Sequence, residues 1–165
     1  VKTFYGKYRG TVALNIDPLM RGRVQVKVPA VFGDGQLSWA EVCVPYAGDG
    51  VGIFAVPPQG AGVWVEFEGG DPQKPIVSGC FWNAGQAPAS PAVPQVKVWK
   101  TDAVSITLSD LPGAGGLTIE VGPPAAPVAM KLAMTASGIE LSVGASKIEL
   151  SPASVKVNGG ALEVI

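Results

Sequence analysis

Three groups of residues in this chain have types that could do chemistry: Glu66 with Glu68, the cysteines Cys43 and Cys80, and Trp39, Trp64, Trp82 and Trp99. Two carboxylates flanking a bond can hydrolyse a glycoside. At i and i+2 on a strand, however, Glu66 and Glu68 are expected to form a solvated stripe rather than a catalytic pair. Two widely separated cysteines without a CxxC motif do not build a structural zinc site. Tryptophans can stack on bases or sugars, or fill a core or an interface. The chain has no histidine. That excludes Ser-His-Asp and Cys-His catalysis, histidine acid–base chemistry and nearly all catalytic zinc sites. No GxxxxGK[ST] phosphate cradle occurs either, and VFGDGQL reads as a turn.

Bulk properties point the same way. Formal net charge is −1, from 12 basic and 13 acidic residues spread through both halves of the 165-residue chain. No basic excess is available to neutralise phosphates, so nucleic acid is not an expected partner. Hydrophobic residues reach 47%, yet Gly, Pro or charge interrupts every run before the roughly 18 residues a membrane-spanning helix needs. The start, VKTFYGKYRG, lacks a secretory signal pattern, so synthesis in the cytoplasm is expected. Cys43 and Cys80, both in strand-like surroundings, are expected to be buried thiols rather than a disulfide.

The elements that would position these residues are all strands. With 22 Gly and 15 Pro, turn chemistry leaves little room for helices, and the expected class is all-β. Tyr5 to Ile16 reads as a first strand, with Tyr8, Val12 and Leu14 as inward candidates. Arg23 to Val28 alternates cleanly, Val24, Val26 and Val28 inward, until Pro29 stops it. Ser38 to Val44 is a third strand. Val63, Val65 and Phe67 share one face of a fourth, and Ile76 to Trp82 returns as a fifth. Gly69, Gly70, Asp71 and Pro72 break the chain between them. Five strands in this space suit a small closed barrel such as the OB-fold. Residues 1–83 are therefore assigned to a barrel domain and 84–96, with Pro88, Pro91 and Pro94, to an extended semi-rigid linker.

From residue 97 to 165 the runs become very short: SITLS, LTIEV, MKLAM, GIELSV, KIELS, VKVNG and ALEVI. Each alternates, and turn-forming residues separate them. The inward set comprises Leu117, Ile119, Val121, Ile139, Leu141, Val143, Ile148, Leu150, Val155, Val157, Leu162 and Val164. A lone ribbon of such strands cannot bury its apolar face. Each inward Ile or Leu left wet forfeits roughly 1.5–3 kcal/mol. Identical copies wound about one axis would hide these faces in a shared core, giving a trimeric intertwined β-helix or β-prism. A single-chain solenoid is the other solution, though repeats this short leave little room for one.

The residues also carry a resemblance. Asp17-Pro18 with Gly22-Arg23-Val24-Gln25-Val26-Lys27-Val28-Pro29 fits the "DP…GRVxVxVP" pattern, and Trp39-Ala40 fits a Trp-Ala pair. Pro57, Gly60, Val63, Val65, Phe67, Gly70, Asp71, Pro72, Pro75, Gly79 and Asn83 complete a second pattern, whose turn is Gly70, Asp71, Pro72 and Pro75. In these positions the first half resembles the OB-fold domain of phage baseplate spikes and the VgrG proteins of type VI secretion. The later repeats resemble the family's triple-stranded β-helix needle more loosely.

The resemblance implies a homotrimeric spike at the tip of a contractile injection machine, part of an assembled particle, docked on a hub protein and piercing its target envelope mechanically. In VgrG proteins the hub is fused upstream; here the chain starts almost at the barrel, so a separate hub polypeptide is expected. Some spikes end in an iron ion held by paired histidines, which this chain cannot supply. Leu162, Val164 and Ile165 are instead expected to receive a PAAR-type tip protein. Relatives that carry a lysozyme domain place it where only residues 84–96 stand here. The expected role is therefore structural, without cofactor, metal or catalytic residue. An OB-fold binder of single-stranded nucleic acid or carbohydrate is the alternative.

Overall fold

The computed structural model describes residues 2–164, with side chains described as far as Leu162. In chain order it contains β1 (Tyr8–Leu14), β2 (Val24–Lys27), α1 (Pro29–Phe32), β3 (Ser38–Val42), β4 (Ala47–Gly48), β5 (Val51–Gly52), β6 (Gly62–Phe67) and β7 (Pro75–Phe81). Then come β8 (Val96–Lys100), β9 (Val104–Ser109), β10 (Gly116–Val121), β11 (Met130–Thr135), β12 (Gly138–Val143), β13 (Ser146–Leu150), β14 (Val155–Val157) and β15 (Leu162–Val164). No helix among the described residues is long and apolar enough to cross a membrane. The chain divides into two compact units between Gln86 and Ala87.

In the first unit β1, β2, β3, β7 and β6 close into a barrel in that order, with β6 pairing back onto β1. All pairs are antiparallel except β3 with β7. The alternation of β2 and β6 aims Val24, Val26, Val63 and Val65 inward, and Val12, Val28, Ala40, Phe67 and Val77 complete the buried core. β-branched side chains fit such a half-buried pleated surface with few rotamers to lose. Each Val withdrawn from water contributes about 2 kcal/mol.

Leu14 departs from the expected inward set. Val12 faces Val26 but Leu14 faces Gln25, so Ala13 is an extra residue in β1 and the bulge reverses the phase that follows. Leu14 is 37% exposed as a result. The stretch after Pro29 is more than a loop: Pro29 opens a single helical turn that Gly33 ends with φ 75°. Phe32 from that turn meets Phe67 edge-on at 5.8 Å, and Tyr8 meets it at 5.6 Å, closing one end of the barrel.

The expectation of buried thiols fails in part. Cys43 and Cys80 are free, but both are exposed. Glu41 and Cys43 lie on the outward phase of the third strand's path, opposite Ala40 and Val42. Cys80 lies beyond Ile76 and Val77, the only residues of β7 that β3 covers.

The second unit is one eight-stranded antiparallel sheet in which β8 to β15 pair in strict chain order. The segment before it is a series of turns rather than a continuous extension. Gln86 N–H donates to Asn83 O, Val93 N–H to Pro91 O, and Val96 N–H to Val93 O.

Candidate functional site: the apolar face of the meander sheet

Directly opposed residues in an antiparallel ladder share a face, so the register of β8–β15 determines which side chains stand together. One row runs Leu108, Leu117, Met134, Ile139, Leu150, Val155. A second runs Trp99, Ile106, Ile119, Leu132, Leu141, Ile148, Val157, Leu162. A third runs Val104, Val121, Met130, Val143 and ends at Ser146. The face contains no charge between β9 and β15, and much of it is wet: Leu141 is 50% exposed and Leu162 60%. Monomers rarely expose a continuous apolar surface of this extent.

The opposite face is polar and internally matched. Glu120 opposes Lys131, Ser142 opposes Lys147, and Glu149 opposes Lys156. Glu140 and Glu149 stand directly opposite each other, a repulsive placement. Lys131 approaches Glu140 at 3.4 Å and Lys147 approaches Glu149 at 2.8 Å, and these contacts relieve it. The bond to Glu149 also pushes the Lys147 ammonium above its ordinary range. On the apolar side, at the sheet edge, Lys97 stands opposite Leu108 and pairs with Asp110.

Two glycines shape the strand ends. A Cβ on Gly116 (φ 142°) would stand 2.0 Å from Met134 O, and one on Gly138 (φ 127°) 2.0 Å from Leu150 O. Only glycine lets the backbone pass at these points.

Of the residues expected to point inward, Leu117, Ile119, Val121, Ile139, Leu141, Val143, Ile148, Leu150, Val155, Val157 and Leu162 all lie on this one face. Val164 stands opposite Val155 in register, its side chain outside the described residues, and Ile165 lies outside them altogether. The expectation omitted Trp99, Val104, Ile106, Leu108, Met130, Leu132 and Met134. The same two-residue alternation runs through SITLS and MKLAM and would have found most of them.

The other candidates prove to be devices of the barrel. Gly70 (φ 79°) closes the turn after β6, where a Cβ would stand 3.0 Å from the Tyr5 ring, and its carbonyl accepts from Phe4 N–H at 2.9 Å. Asp71 accepts from Gln73 N–H at 2.9 Å, and Pro75 starts β7 opposite Phe67. Within the other pattern, Asp17 is buried and its carboxylate accepts from the N–H groups of Leu19, Arg21 and Arg23 and from the Arg23 side chain. The Arg23 guanidinium holds the Asp17 carboxyl far below the usual carboxylate range.

Glu66 is bonded to Lys7 at 3.1 Å, and that bond lowers its pKa, the opposite of what a general acid needs. Although Cys80 is exposed as a residue, partial withdrawal from water pushes its thiol up, away from the reactive thiolate. Arg9 lies 4.7 Å over both the Trp64 and Phe81 rings and already occupies those stacking faces.

Comparison with known proteins accords with this division. Residues 8–82 match the family described as the type VI secretion system/phage-baseplate injector OB domain. Residues 95–163 match the phage baseplate V C-terminal trimerisation domain. Over 85 residues, 51% of this chain, the sequence is 38% identical to the type VI secretion system spike protein VgrG4b of Pseudomonas aeruginosa. The matched part is 10% of that relative's length.

Proposed function

The chain belongs to the VgrG-like family of phage-baseplate and type VI injector spikes, and from that membership we propose that it forms a homotrimeric central spike that pierces a target envelope mechanically. The observation that carries this is the three-row apolar face, free of charge from β9 to β15, on a sheet that matches a trimerisation domain. Three copies turned face to face put the rows of Leu, Ile, Val and Met into a common dry core, with the Lys–Glu face outside. The dozen or so exposed large side chains then each recover part of the roughly 1.5–3 kcal/mol that burial offers. Dense antiparallel hydrogen bonding in the walls supplies the stiffness that a piercing element needs.

In this reading the barrels dock on a hub protein, and a PAAR-type tip protein covers the unpaired side of β15, where Leu162 is exposed. The trimer core is the set Leu117 to Val164 named above together with Ile106, Leu108, Leu132 and their row neighbours. The spike is a structural component of an assembled injection particle rather than an enzyme. The decisive test is the native mass of the full chain in solution. A mass of three chains is expected, and a stable monomer at working concentration refutes the assignment.

A further inference from the structure

The chain has three arginines. Arg21 is bonded to Glu41 and Arg23 to Asp17. Arg9 differs: among the described residues no carboxylate, carbonyl or hydroxyl accepts from its guanidinium, yet two rings hold it in place. The guanidinium carbon lies 4.7 Å from the centres of both Trp64 and Phe81, and those centres are 4.9 Å apart with the ring planes tilted by 49°. The three groups stand at the corners of a nearly equilateral triangle. Strand register builds it. On the outward face Arg9 stands opposite Trp64, which stands opposite Gly79; Thr11 stands opposite Gly62, which stands opposite Phe81. Glycine inside a strand weakens it and marks places where another group comes close. At Gly62 that group is the Phe81 ring, which an added Cβ would meet at 2.7 Å. Stacking uses the flat face of a guanidinium and leaves the five N–H donors in its plane free. Those of Arg9 are exposed to water, and the rings set their direction before any partner arrives.

We propose that Arg9, seated on Trp64 and Phe81, is a recognition point for an acidic segment of a partner protein, one of whose carboxylates the guanidinium takes bidentately. The inference goes beyond the spike reading and stands on the barrel alone. Charge selects the class of partner. Glu66, two residues along β6 from Trp64, is held by Lys7 at 3.1 Å, so no carboxylate of the barrel itself satisfies Arg9. Lys27, opposite Thr11 on the same outward face, adds one further cation. A nucleic acid or an anionic membrane is held by longer series of cations, and a chain with 12 basic and 13 acidic residues offers no such excess. One planar fork matches one carboxylate in shape as well as charge. An arginine flanked by half-buried aromatic rings is also the kind of anchor on which contacts between proteins chiefly depend.

Titration of the isotope-labelled full chain with a blocked hexaglutamate peptide, followed by NMR, tests the site. The Arg9 Nε–H and Trp64 Nε1–H signals are expected to shift saturably, and a blocked hexaglutamine peptide is expected to leave them in place. Arg9→Lys keeps the charge but loses the fork, and should weaken binding by about tenfold. Phe81→Leu, which keeps the arginine and removes part of its seat, should weaken it too. Lys100→Ala, in the second unit, should bind like the unchanged chain. Arg9→Lys, at an exposed position, decides the matter if Phe81→Leu fails to fold. The site is overturned if the signals show no saturable shift, or if Arg9→Lys binds as tightly as the unchanged chain. Equal weakening in Lys100→Ala overturns it as well, since the attraction is then diffuse. So does an oligonucleotide or a phosphatidylglycerol vesicle that moves the same signals at lower concentration than hexaglutamate, because the partner is then a nucleic acid or a lipid surface.

Discussion

Arg23 grips Asp17 with both arms of its guanidinium, Nε to Oδ2 at 3.0 Å and Nη2 to Oδ1 at 2.9 Å. A fork of this geometry is among the stronger charge-assisted pairings, and here it ties the start of β2 to the turn after β1.

The pair should make the barrel acid-sensitive in a defined window. Asp17 has a folded pKa well below its unfolded value of about 4. A depressed carboxylate contributes stability above the unfolded value and loses it as pH falls through that value toward the folded one. Asp17→Asn should therefore lower the barrel's melting temperature at pH 7. The gap from the unchanged protein should narrow steadily below pH 4. Thermal melts from pH 7 to pH 2.5 check this, and a gap that stays constant with pH would contradict it.

Leu141→Asp places three carboxylates within the proposed shared core. Burying even one unpaired charge costs several kcal/mol, so the variant is expected to be monomeric. Ser142→Asp, one residue on and facing the polar side, should remain trimeric. Sedimentation of the two variants side by side is the measurement, and a stable Leu141→Asp trimer would remove Leu141 from the core.

Gly138→Ala should destabilise the sheet by at least about 2 kcal/mol, because strain at its φ is added to a collision with the Leu150 carbonyl. Gly159→Ala is the contrast: its φ is 67° and nothing lies within 4 Å of the added methyl, leaving about 1 kcal/mol of backbone strain. Urea unfolding of both variants measures the difference.

Val65→Ala removes two methyl groups from a fully buried site in the barrel. A loss of about 2 kcal/mol is expected from transfer and cavity terms together. Oligomeric mass should be unchanged, since the trimerisation match lies in the other half of the chain.

The strands were legible because their side chains alternate between two simple environments. Val24, Val26, Val63 and Val65 each sit where a period of two places them. Leu14 was not legible, because a bulge at Ala13 leaves no local signature and depends on the partner strand. The helical turn after Pro29 was missed because four residues are too few for any helical period. The exposure of Cys80 depends on where a neighbouring strand ends, a tertiary fact. On the meander face the alternation identified most of the set, while the rows joining strands came only with the register. Trp99 entered its row through its opposition to Ile106, not through its own short run.

Strand lengths in the meander fall from six residues in β9 through β12 to five in β13 and three in β14 and β15. In the proposed three-walled assembly, at 3.3 Å per residue, each wall would narrow from roughly 20 Å to about 10 Å. Halving the side of a triangular section leaves about a quarter of its area, so one axial thrust would bear on the narrow end with roughly four times the pressure.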